Sequence, residues 1–212
     1  MTKKFSKKNI NHLANSCKSL DEFSKSYISY LNDLLLSIDF LKLRKLNNIL
    51  LSARKKKINI FVFGNGGSAA TASSMANDLG FDIIKKTNTK NPFKFFSLTD
   101  NSPVITAISN DTGYENVFLN QLKIHYKKGD IAILISASGN SKNLILAANW
   151  IKKQGGKTFS LLGFDGGKLK KISDDYLLIK SDKGDYGPVE DSHLIINHIL
   201  AHWFQKILFR KK

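Results

Sequence analysis

The chain has 212 residues, of which 42% are hydrophobic, enough for one domain with a core of its own, and carries a formal charge of +16 at pH 7. A single cysteine, Cys17, excludes an internal disulfide framework and a cysteine-based metal site. No apolar run reaches the roughly 18 residues of a bilayer span, and none of signal-peptide length follows Met1-Thr2-Lys3-Lys4, so the chain is expected to work in the reducing cytoplasm.

Residues 1–57 read as a helical lead belonging to the same domain as the rest. Ser19-Leu20-Asp21-Glu22 has capping-box form, with Phe23, Tyr27, Leu31, Leu34, Leu35 and Ile38 following at helical spacing, and a second helix runs through Leu43, Leu46, Ile49 and Leu50. From Ile58 the period changes. Short apolar runs at Ile58-Phe63, Lys94-Leu98, Ile131-Ile135, Thr158-Leu162 and Tyr176-Ile179 predict five strands. They alternate with helical segments near Ser68-Leu79, Val104-Ile108 with Glu115-Ile124, Ser141-Lys153 and a short Gly167-Lys171 turn, the pattern of a parallel sheet. A last helix is predicted from about Val189 to Phe209.

Two strand-to-helix loops carry the binding chemistry. The first strand runs into Gly64-Asn65-Gly66-Gly67-Ser68, where glycines permit positive φ and helix N-terminal amides, with the Ser68 hydroxyl, face an anion. The third runs into Ser136-Ala137-Ser138-Gly139-Asn140-Ser141, with more hydroxyls than one helix cap needs. In a parallel sheet both loops open on one edge, beyond the carboxyl ends of the strands. Phosphate is the natural tenant. Gly64-x-Gly66-x-x-Ala69 also matches a dinucleotide fingerprint, but no second strand ends about 20 residues on to bring the ribose-binding acid, and no P-loop run exists. The lysines fall in short clusters, at Lys3-Lys4, Lys7-Lys8, Arg54-Lys57, Lys85-Lys86, Lys168-Lys171 and Arg210-Lys212, and read as solvated surface; neither a nucleic-acid nor a membrane partner is expected.

The chain resembles the sugar isomerase (SIS) domain proteins, and among them the phosphoheptose isomerases. The resemblance rests on five blocks in order: Gly64-Asn-Gly-Gly-Ser-Ala-Ala70, Ser97-Leu-Thr-Asp-Asn101, Thr106-Ala-Ile-Ser-Asn-Asp111 with Gly113-Tyr114, Ser136-Ala-Ser-Gly-Asn-Ser141, and Val189-Glu-Asp-Ser-His193 with Asn197-His198. It implies a three-layer αβα sandwich around a five-stranded parallel sheet over residues 58–212, and a homotetramer whose active sites lie at subunit interfaces involving residues 1–57. It implies an aldose–ketose isomerase acting on sedoheptulose 7-phosphate through an enediol. The phosphate would be held by Ser68, Ser136, Ser138 and Ser141 with Gly66 and Gly67, and the sugar hydroxyls by Asn65 and Asn101.

The resemblance makes Asp78, His198 and Glu190 the catalytic candidates: the family's carboxylate falls on Asp78, its last-helix histidine on His198 and its glutamine on Glu190, while the histidine one turn before the carboxylate falls on Ser74. Serine replaces neither an imidazole base nor a zinc ligand. Asp78, Glu190 and His198 are the candidate metal ligands and zinc the candidate metal. Glu190 and His198 would lie about 12 Å apart on a continuous helix, too far for one ion within a chain. Ser74 also opens a different reading, a non-catalytic SIS domain that senses or scaffolds through a sugar phosphate, or one that associates with a replication initiator. Spacing alone leaves Asp78 as a cap or solvent-facing carboxylate, and His198 and His202 as half-buried hydrogen-bonded histidines. His193 stays open on spacing; His125 reads as surface.

Overall fold

A computed structural model describes residues 9–209; the lysine clusters at 3–8 and 210–212 lie outside them. The lead forms α1 (Ile10–Ser16), α2 (Leu20–Leu36) and α3 (Phe40–Lys56). Ser19 caps α2, its Oγ accepting from the Glu22 amide at 3.2 Å. The Glu22 carboxylate reaches back one residue further than a capping box requires, to the Lys18 amide at 2.8 Å.

The parallel unit follows as β1 (Asn59–Gly64), α4 (Gly67–Ala76), a π turn (Asn77–Phe81), α5 (Asp82–Thr87), β2 (Lys94–Ser97), α6 (Ser102–Thr112) and, after a 3-10 turn (Tyr114–Asn116), α7 (Val117–His125). Then come β3 (Ile131–Ser136), α8 (Lys142–Lys153), β4 (Lys157–Gly163), α9 (Leu169–Ile172), β5 (Asp175–Ile179) and α10 (Tyr186–Leu208). The five strands run parallel in the order β2-β1-β3-β4-β5. Each predicted strand is present within a residue or so at its ends.

Alternating strand residues feed two cores, one on each face of the sheet. Ile60, Val62, Ile133 and Ile135 pack with Leu46 and Leu50 of α3, Met75 of α4 and Phe204 of α10. Phe61, Phe63, Ala132 and Leu134 pack with Phe118 of α7 and Leu144 and Ile151 of α8. This is the three-layer α/β/α sandwich. Each fully buried leucine, isoleucine or phenylalanine adds roughly 1.5–3 kcal/mol. Leu34, Ile38, Leu46 and Leu50 from the helical lead lie in the same cluster as Ile60 and Val62, so the lead is built into the sandwich.

Two helices depart from the sequence expectation. The segment after β1 continues well beyond Leu79, through the π turn and α5 to Thr87. α10 begins at Tyr186 rather than Val189, since Pro188 in a first turn forfeits no hydrogen bond.

Candidate active site

The strand order reverses direction between β1 and β3, so the loops after these two strands face one another across the crevice at the carboxyl edge. Gly64 pairs in register with Ile135, which brings Ser68 opposite Ser136. Gly66 enters α4 with φ +57, a backbone that favours glycine. Ser68, Ser136, Ser138 and Ser141 line one cavity of about 170 Å³ together with Asn65 and Glu190.

The three serines of the second loop fall into two kinds. Ser136 Oγ accepts from the Gly139 amide at 3.0 Å and Ser138 Oγ from the Asn140 amide at 3.3 Å, so these hydroxyls shape the turn. Because a hydroxyl both accepts and donates, each keeps its own proton free for a ligand oxygen. Ser141 stands at the N-cap of α8 without capping it through its side chain. Among the described residues no lysine or arginine lines the cavity, so an anion there would meet hydroxyls and the amide ends of α4 and α8.

Asn65 is already occupied: its Oδ1 accepts from Tyr114 Oη at 2.8 Å and Asn143 Nδ2 at 2.9 Å, and its Nδ2 donates to Asn143 Oδ1 at 3.0 Å. Asn101 caps α6, its Oδ1 accepting from the Val104 amide at 3.2 Å, and does not line the serine cavity.

The predicted carboxylate and histidine meet. Asp78, in the π turn, places Oδ2 3.6 Å from His198 Nε2 on α10. Asn197 donates to the same Oδ2 at 2.7 Å, and Asn77 Nδ2 donates to Oδ1 at 3.0 Å. Single-turn π insertions recur at functional sites because they re-aim a side chain. Ser74 lies one turn earlier, half-buried.

Residues 26–163 match the SIS domain family model. The chain belongs to the SIS domain family. It is 41% identical over 150 residues to the phosphoheptose isomerase of Sulfurimonas denitrificans, covering 69% of this chain and 72% of that one. It is 34% identical over 190 residues to the phosphoheptose isomerase of Helicobacter pylori strain P12, covering 88% and 95%. The solved phosphoheptose isomerase GmhA of Neisseria gonorrhoeae shares the fold at a TM-score of 0.78 and 24% identity, over 89% of this chain and 100% of that one.

In this SIS domain Glu190 stands apart from the Asp78–His198 pair. It lines the serine cavity, and α10 is continuous between it and His198, a separation of about 12 Å. Its carboxylate occupies the space beside Gly67, where a Cβ would come within 2.7 Å of Oε1. Burial, and secondarily Asp191, raises its pKa above the ordinary 4.5. Among the described residues no group of three His, Cys, Asp or Glu side chains gathers to hold a metal. Asp78 and His198 supply two donors where a catalytic zinc takes three from protein, so one chain alone does not fit that metal.

His193 is structural. It is fully buried, and Nε2 carries the proton because its partner at 3.3 Å is the Leu162 carbonyl; Nδ1 has no partner. Burial depresses its pKa to about 4. His202 and His198 are exposed rather than half-buried, since α10 turns that face outward. Both border an apolar groove of about 820 Å³ between α3 and α10, lined by Phe40, Leu43, Ile199 and Trp203. His125 is on the surface.

Sequence reasoning did not reach Tyr114 and Asn143 as the holders of Asn65, nor a hydroxyl cluster of Ser73, Ser97 and Thr99 around the Asp100 carboxylate. Tyr186 of the serine cavity was obscured by the Gly187-Pro188 that follows it.

Proposed function

We propose that this protein, a sugar-phosphate isomerase, interconverts sedoheptulose 7-phosphate and the corresponding aldose phosphate through an enediol. The observation that carries the reading is the approach of His198 to Asp78 at 3.6 Å, in a chain that also builds a hydroxyl-lined anion cavity. The seven-carbon substrate is supported by the names of the relatives at 34–41% identity.

The serine loops hold the phosphate and fix the distance to the reacting carbons. Asp78 takes the proton from one of C1 and C2 and returns it to the other, while His198 serves the oxygen atoms. Asn197, bound to Asp78 Oδ2, keeps that carboxylate oriented. Ser74 requires the pair to work without the imidazole found one turn earlier in the family pattern.

The working form is a homotetramer in the cytoplasm. Phe40, Ile199 and Trp203 are 55%, 46% and 45% exposed beside His198, and a second copy of the chain would cover them and close the site over Asp78. No described helix is long and apolar enough to cross a membrane.

The test is a turnover assay with sedoheptulose 7-phosphate in deuterated water. Deuterium entering the product carbon supports the enediol; conversion without exchange supports hydride transfer instead. Tight binding with no conversion across several ketose phosphates overturns the assignment.

A further inference from the structure

Lysines that are scattered along the sequence converge in space. In a parallel αβ unit each helix returns its C-terminus to the amino edge of the sheet, opposite the serine cavity. Lys55, Lys56 and Lys57 end α3 there, Lys152 and Lys153 end α8, and Lys127 and Lys128 precede β3. Lysine at a helix C-terminus complements the helix dipole. That does not account for a cavity at this edge, which Lys56 of that group lines.

Between α3 and the starts of β1, β3 and β4 lies a cavity of about 480 Å³, within the size range of small-ligand sites. Its floor is Ile49, Ile58 and Ile131, half-buried to buried, and its rim carries Lys45, Lys56 and Lys157, all exposed. Lys45 is spent on Asp175, at 2.5 Å. Lys56 and Lys157 have no carboxylate within ion-pair distance among the described residues.

The nearby acids are committed elsewhere. Asp130 accepts from the Asn59 amide at 2.9 Å, Asn59 Nδ2 at 3.1 Å and the Lys127 amide at 2.9 Å. Asp175 holds both Lys42 and Lys45. The rim therefore offers two ammonium groups without an ion-pair partner among the described residues, at an edge where the lysines named above outnumber Asp130 and Asp175 and draw anions in. The floor offers apolar surface, which a sugar ring with its hydroxyls would not match and a flat heteroaromatic ring would.

We propose that this cavity is a second ligand site, distinct from the serine cavity, that takes a nucleoside phosphate, with the base on the isoleucine floor and the phosphates between Lys56 and Lys157. Isothermal titration of the full chain with ADP, GDP and UDP tests it, beside adenosine and pyrophosphate. At least one nucleotide should bind once per chain, with adenosine and pyrophosphate at least about tenfold weaker. The exposed pair Lys56→Glu/Lys157→Glu should weaken nucleotide binding at least about tenfold while sugar-phosphate binding persists, which also shows that the variant folds. Ser136→Ala/Ser138→Ala should leave nucleotide binding intact. The proposal is overturned if no nucleotide binds, if pyrophosphate binds as tightly, if charge reversal changes nothing, or if the serine variant loses the nucleotide.

Discussion

His198 and Asp78 stand 3.6 Å apart, Nε2 to Oδ2, although 120 positions of chain separate them. Replacing Asp78 by Asn removes the proton acceptor and keeps the shape. Turnover should fall by about 10²–10⁴-fold with sugar-phosphate affinity within a few-fold of wild type. Ser74→Ala should stay within about twofold, because the proposed proton transfer runs between Asp78 and His198 without position 74. A wild-type rate in Asp78→Asn would remove the base from its assignment.

Ser141 separates binding from folding. Since its hydroxyl does not cap α8, Ser141→Ala should change stability by no more than about 0.5 kcal/mol while weakening sugar-phosphate binding. Ser136→Ala should lose both, because the Gly139 amide then loses its acceptor, at a cost of roughly 1 kcal/mol. Chemical denaturation and calorimetric titration of the two variants decide this.

Glu190 brings a negative charge to the cavity proposed to hold the substrate phosphate. Glu190→Gln should tighten sugar-phosphate binding near pH 8 by about 1 kcal/mol, roughly fivefold. The gap between variant and wild type should close as pH falls, because the pKa of Glu190 is raised and the wild-type carboxyl protonates first. Equal affinities at pH 8 would show that the carboxylate does not oppose the ligand.

His193 makes stability depend on pH. Its folded pKa, about 4, lies below the ordinary 6.5, so between these values the unfolded chain binds the extra proton. The contribution is complete above pH 6.5 and is lost as pH falls toward 4, to about 3 kcal/mol. His193→Gln should be less stable at pH 8 but lose less on acidification, as urea denaturation at pH 8, 6 and 4.5 would show.

Trp203 tests the assembly. Static light scattering should give a tetramer for the wild type, and Trp203→Glu should reduce it to smaller species with lower turnover. A wild-type monomer at micromolar concentration would refute the interface site.

The strands were legible because a sheet covered on both faces demands unbroken apolar runs; Ile131–Ile135 is buried at every position and reads so in one dimension. The serine loops were legible for a related reason, since glycine and hydroxyl side chains crowd where a strand meets a helix. What proximity alone creates was not. The lysine edge exists only after three helices return to one side, and His193 finds its hydrogen-bond partner in the Leu162 carbonyl, 31 positions away. Nothing in Gly187-Pro188 distinguishes a first turn from a break.

The π turn at Asn77–Phe81 makes segment length part of the site. Met75 before it and Leu79, Ile83 and Thr87 within and after it all face inward. Removing one residue from these five would restore a uniform α-helix and rotate everything beyond by roughly 100°. Such a deletion would carry Ile83 out of its buried position and disturb the aim of the Asp78 carboxylate. The residue count of this segment is therefore fixed jointly by core and chemistry.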